Sequence, residues 1–171
     1  MKKDFITVTP DNGNGDATVT VAASENQSEN ARSSTITIAG GGISRTVSLG
    51  QNAGSITYEY DFDENPEWLH ISRGAIGEGN KKTVSISSTM KKIVNGNVVE
   101  TSNASWSYKI TGIYPTNISP DFIVIQTSSD SISFYAKQLN TTHANKAIYV
   151  DVIQSESGKT KSITFVQLPE T

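Results

Sequence analysis

Apolar and polar residues alternate with a period of two along most of this 171-residue chain. The alternation predicts strands at 5–9, 18–22, 35–38, 46–49, 56–60, 68–71, 83–86, 106–110, 122–125, 132–136, 148–153 and 163–166. Each run has one apolar and one polar face, the pattern of an antiparallel sheet with one side in water. The breaks between runs carry turn residues. Gly40-Gly41-Gly42 separates two runs, and Asn95-Gly96, set between Ile93-Val94 and Val98-Val99, predicts a type I′ hairpin. Asp11 to Asp16 and Ser155 to Lys159 are the other marked turns. Composition agrees: 18 Ile, 12 Val and 19 Thr stand against 4 Leu. Residues that are stiff at χ1 suit a pleated surface and disfavour helices. The expected fold is all-β, a β-sandwich, in two tandem units.

The tandem reading comes from an internal repeat. Asp4-Phe5-Ile6 is echoed by Asp121-Phe122-Ile123. Val19 and Val21 match Ile132 and Phe134; Asn26 matches Asn140, and Arg32 matches Lys146. Ile36 and Ile38 match Val150 and Val152, while Val47, Leu49 and Gln51 match Ile163, Phe165 and Gln167. The offset stays between 113 and 117, with the small indels at turns. Residues 1–52 then form a partial unit of four strands, completed by later strands or by another chain, and residues 53–171 a complete sandwich. Four strands are few for an independent sandwich, which has about seven. A shorter echo, Glu67 to Ile71 followed by Thr83 to Ile86, repeats only the first two strands of the unit.

The repeated unit resembles the BACON domain, an immunoglobulin-like sandwich of Bacteroidetes proteins and their phages. The resemblance rests on Ile6-Thr7-Val8-Thr9-Pro10, Thr18-Val19-Thr20-Val21, Asn26, Arg32, Thr35-Ile36-Thr37-Ile38 and Thr46-Val47-Ser48-Leu49 leading into Gln51. In the second copy, Trp106, Phe122 and the closing Ile163-Thr164-Phe165-Val166-Gln167 are similar to family positions, although Lys146 stands where the pattern favours Arg. The resemblance implies a binding or spacer module and brings no fixed binding residues with it.

The chain contains no cysteine, which excludes disulfides, thiolate metal sites and cysteine nucleophiles. Its two histidines, His70 and His143, argue against a multi-histidine metal centre. A net charge of -3 argues against a nucleic-acid partner. There is no apolar run of about 18 residues to cross a membrane as a helix. Met1-Lys2-Lys3 is followed by Asp4 rather than an apolar stretch, so no export signal is expected.

Trp68 and Trp106, with Tyr58, Tyr60 and Tyr114 and the further Tyr108 and Tyr149, are the candidate contact residues. Packing in the core or at a subunit interface is the reading a sandwich favours. A sugar-stacking platform is the alternative, because sugar CH groups pack on aromatic faces. Asp61 to Asn65, with Glu67, is rich in oxygen but lacks EF-hand spacing and its glycine, and Asn12, Asn14 and Asp16 alternate like a calcium loop but have Ala17 in place of the sharp-turn glycine; both read as solvated turns. Gln51 and Gln167 are expected to bond to backbone groups at strand ends. Lys81-Lys82, Lys91-Lys92 and Lys159 with Lys161 read as charges that blunt edge strands. Four N-x-[ST] sites, at Asn26, Asn103, Asn117 and Asn140, compare with about three expected by chance and carry no signal.

We expect no catalytic, cofactor or metal site. The function expected first is a structural or adhesive protein of a virion: an auxiliary capsid protein, decoration or fibre attachment, of a crAss-like Bacteroidetes phage. It would dock in many copies on the major capsid or other virion proteins, after assembly in the host cytoplasm. The alternative is a carbohydrate-binding module of an exported Bacteroidetes protein, with a polysaccharide partner, at the cell surface or in the periplasm.

Overall fold

A computed structural model describes residues 2–169. Its strands are β1 (Lys2–Lys3), β2 (Ile6–Thr9), β3 (Thr20–Ala23), β4 (Arg32–Gly40), β5 (Ile43–Gln51), β6 (Ile56–Phe62), β7 (Glu67–Ile71) and β8 (Lys82–Ser85). They continue with β9 (Ser88–Val94), β10 (Asn97–Asn103), β11 (Trp106–Tyr114), β12 (Ile123–Thr127), β13 (Ser131–Ala136), β14 (Lys146–Gln154) and β15 (Thr160–Gln167). The all-β reading holds. The chain divides into two compact units, Met1–Tyr58 with Lys92–Glu100, and Glu59–Lys91 with Thr101–Thr171.

The second unit is a sandwich. One sheet has the order β11-β14-β15-β7, the other β12-β13-β8. The β7–β15 pair is parallel, while β14 pairs with β11 and β15 antiparallel. Alternate residues of the two inner faces make the core, with Ile132 and Phe134 on one side and Ile148, Val150, Val152, Ile163 and Phe165 on the other. Phe134 and Phe165 stack with ring centroids 5.7 Å apart, in the range where aromatic pairs attract.

In the first unit β2 lies between β1 and β3, and β4 pairs with β5. Its core is small: Ile6, Val8 and Ile36, with Phe5 and Leu49 partly buried against them. The Gly41-Gly42 turn between β4 and β5 has φ of 58° and 81°, which glycine adopts without a Cβ clash. The segment 92–100, which carries the Asn95-Gly96 turn, belongs to this unit. Both turn residues have positive φ, as a type I′ hairpin requires. The Asn95 side chain accepts the Ser55 N–H (2.8 Å) and donates to the Asn26 carbonyl (3.0 Å).

The repeat is visible in the register. Ile6 opposes Ala23 as Ile123 opposes Ala136, and Arg32 opposes Gln51 as Lys146 opposes Gln167. Its asparagine and glutamine amides make matching bonds in the two copies. Asn26 Nδ2 donates to the carbonyls of Asn30 and Asn52, and Asn140 Nδ2 to those of Ala144 and Leu168. Gln51 Nε2 donates to the Ser24 carbonyl and Gln167 Nε2 to the Gln138 carbonyl, both at 2.9 Å. The two glutamines therefore serve strand-end backbone, as expected. The shorter echo is not a further copy: β2 and β3 pair with each other, whereas β7 and β8 lie in different sheets. Two alternating strands and a glycine turn are too little pattern to fix pairing.

One bond of the repeat is missing in the second copy. Arg32 Nε donates to Gln51 Oε1 at 2.8 Å, with its guanidinium 4.3 Å from the centre of the Phe5 ring. Lys146 keeps the ring contact, 5.9 Å from the centre of Phe122. Gln167 Oε1, however, is buried without a partner among the described residues. A buried acceptor left unpaired costs about 1–3 kcal/mol. Lys146→Arg is expected to recover about 1 kcal/mol of this and raise the melting temperature by several degrees. A melting temperature unchanged in thermal unfolding would show that Gln167 Oε1 carries no penalty.

Candidate functional site

The outer face of the sheet β11-β14-β15-β7 can be read off its register. Trp68 opposes Thr164, Thr164 opposes Tyr149, and Tyr149 opposes Gly112. Residues that oppose one another share a face. The next row along is His70, Val166, Ala147 and Tyr114. Leu69 and Ile71, the alternate residues of β7, turn inward to the core. Trp68, Tyr149 and Tyr114 therefore project from three strands of one face, at 63%, 39% and 51% exposure. Strands lie about 4.8 Å apart, which puts Trp68 and Tyr149 about 10 Å from each other.

Between these rings lie Thr164, Val166 and Ala147, all buried. A register shift between Ile110 and Gly112 brings Gly112 opposite Tyr149. A Cβ on Gly112 would lie 3.1 Å from Tyr149 Cδ2, so glycine lets the ring lean over β11. Beside Tyr149, on the side away from Tyr114, a depression of about 290 Å³ is lined by Gly112, Tyr149, Asp151, Ser162 and Thr164. Ser162 Oγ donates to Asp151 Oδ1 at 2.8 Å. His70 is exposed on the same face.

The other sequence candidates go elsewhere. Trp106 is half-buried against the core, and its indole N–H donates to the Ser129 carbonyl at 2.9 Å. It fills the structural place a sandwich gives a tryptophan. Tyr60 is half-buried on β6. Tyr58 is exposed but belongs to the first unit. Trp68 departs from the core reading because the alternation of β7 gives Leu69 and Ile71 to the interior. Tyr149 joins the face through its register with Thr164, which sequence alone does not reveal.

The oxygen-rich turn has a cation of its own. Lys161 Nζ donates to Asp63 Oδ2 (2.8 Å) and to the Asn65 carbonyl (2.6 Å), with Glu67 Oε1 at 3.5 Å. The lysine is 1% exposed. Its ammonium holds the Asp63 carboxyl below the usual aspartate range, helped by the Asn65 backbone and side-chain amides. Lys161 thus does not blunt an edge: β15 is an inner strand, and Lys161 opposes Val152 of the core. Lys82, on the edge strand β8, does fit that role.

Fold and face together define an all-β sandwich protein with an aromatic sheet face open to solvent. Residues 2–52 match the family described as "BACON: Putative binding domain, N-terminal", and this segment is a BACON-like domain. No curated protein matches the chain. Among solved structures it is similar to "Endo-fucoidan hydrolase MfFcnA4 from glycoside hydrolase family 107", at 12% identity and a TM-score of 0.33, over 99% of this chain and 23% of that one. It is also similar to "Endo-fucoidan hydrolase MfFcnA9 from glycoside hydrolase family 107", at 11% identity and a TM-score of 0.31, over 98% and 26%. The chain spans about a quarter of the length of those hydrolases. A likeness this slight says nothing about activity or substrate.

Proposed function

We propose that this is a non-enzymatic binding protein whose outer β11-β14-β15-β7 face takes polysaccharide. The observation that carries the reading is the exposure of Trp68, Tyr114 and Tyr149 on one sheet face. Aromatic faces left in water forgo a large burial energy, which a ligand with apolar CH faces recovers. Asp151, Ser162 and Thr164 beside Tyr149 supply hydrogen bonds for sugar hydroxyls. A flat face with few polar groups binds weakly and gains strength through repeated attachment.

The second reading is the virion auxiliary protein, docked on coat subunits. What favours it is the apolar surface of the first unit, where Val19, Val21, Ile38 and Val47 are exposed. Contiguous exposed apolar residues mark protein contacts more often than free surface.

Screening the full chain on a glycan array tests the saccharide reading. Binding to at least one polysaccharide is expected. Trp68→Ala should weaken it at least about tenfold, the loss typical of an aromatic anchor, while the melting temperature holds. Silence across the array, or equal binding by Trp68→Ala, would overturn the assignment of this face.

A further inference from the structure

The first unit repeats half of the second, and the comparison shows what it lacks. In the second unit β7 runs parallel to β15 and places Leu69 and Ile71 over the core. β8 runs antiparallel to β13, with Val84 opposite Ile132. Among the described residues, no strand stands in either position beside β5 or β3. The consequence is read in matched positions. Ile132, Phe134, Val152 and Ile163 are at most 1% exposed, while their counterparts Val19, Val21, Ile38 and Val47 are 37–52% exposed. A groove of about 420 Å³, lined by Val8, Pro10, Val19, Ile36 and Ile38, opens beside them.

The same comparison indicates the chemistry of an occupant. Lys161 opposes Val152, and Arg45 opposes Ile38 at the matching place. Lys161 is buried under Asp63 and Glu67, acidic residues just before and at the start of β7. Arg45 carries the like charge and is exposed. We propose that the first unit is a strand acceptor. It is completed by an extended segment of another polypeptide that lies parallel along β5, with an acidic residue on Arg45 followed by apolar residues at alternate positions. Backbone pairing to the β5 edge supplies affinity, and the apolar side chains entering beside Leu49 and Gln51 supply specificity. This inference is independent of the saccharide reading, because it concerns only the first unit.

A fluorescein-labelled peptide of residues 61–72 is the probe, since those residues fill the equivalent place in the second unit. Its anisotropy is measured with the full chain, and hydrogen exchange reports where it lands. Saturable binding is expected, with new protection of amides in 45–51. Arg45→Glu should weaken it about tenfold or more. A peptide with lysine in place of both Asp63 and Glu67 should bind that variant and restore the affinity. Arg45 is exposed, so the variant folds. No binding up to about 1 mM peptide would overturn the proposal. Altered exchange confined to 160–167 would overturn it as well, because the peptide would then be displacing β7. Self-association of the chain through β5 in sedimentation would do the same, by making a second copy the occupant.

Discussion

Asn140→Ala is expected to lower the melting temperature of the second unit by more than about 10 °C. Asn140 is fully buried. Its Nδ2 group is shared among the carbonyls of Ala144, Leu168 and Gln167 at 2.9, 3.1 and 3.3 Å. Its Oδ1 accepts the Thr142 N–H at 3.2 Å and the Thr142 hydroxyl at 2.7 Å. One side chain thus ties the 140–144 loop to the end of β15. Alanine leaves several of these backbone groups without a partner, and each such group costs about 1–3 kcal/mol. Asn140→Asp should be no better, because it keeps the acceptor and turns the donor into a second acceptor aimed at carbonyls. Asn103→Ala is the control, an exposed asparagine in an equal sequence context that should leave the melting temperature within about 2 °C. Thermal unfolding of the three variants decides it; an Asn140→Ala curve lying on the wild-type curve would mean that the loop is ordered by something else. Asn26 is buried in the same way within its own N-x-[ST] motif.

Period-two alternation locates strands because a half-buried sheet imposes that period on the sequence. For that reason most of the strands, the Asn95-Gly96 hairpin and the two-copy repeat are legible in the sequence, whereas β9 and β10 show there only as the pairs flanking the turn. Alternation does not say which of two faces is inside. In Trp68-Leu69-His70-Ile71 the tryptophan and the two aliphatic residues compete for the core, and volume favours the tryptophan. The structure gives the core to Leu69 and Ile71 because they sit beside Phe165 and Gln167 of β15. Lys161 was misread for a related reason. A lysine in an alternating strand looks like an outer-face or edge residue, and its burial depends on carboxylates brought from 98 and 94 positions away. Long-range partners of that kind leave no local trace. Nor does the exposure of Val19 and Val47: their residue types match the buried positions of the other copy, and what distinguishes them is that no described strand lies beside β3 or β5.

Removing the acids around Lys161 should harm the second unit far more than removing the lysine. The lysine side chain is 1% exposed, whereas Asp63 and Glu67 are 38% and 46% exposed. In Lys161→Met the carboxylates turn to water and the thioether fills the space of the aliphatic stem, a replacement that is often close to neutral. With Asp63→Ala and Glu67→Ala together, the ammonium stays in the core with only the Asn65 carbonyl for company. A buried charge without its counter-ion is strongly destabilising, so the double variant should lose more than about 10 °C. The acid limb follows from the same contact. The Lys161 ammonium, then the Asn65 amides, hold the Asp63 carboxyl below the ordinary 3.8. A carboxyl lowered in the folded state stabilises the fold above its ordinary value, and that stabilisation is lost as pH falls through the lowered one. Stability traced to Asp63 should therefore stay level from neutral pH down to about 5 and fall below about 4. Asp63→Asn should start less stable at pH 7 and converge on the wild type at about pH 2. Urea unfolding across that range checks this: parallel curves for the two proteins would show that Asp63 does not hold the lysine, while convergence makes the buried ion pair the reason a cation can sit on the inner face of β15.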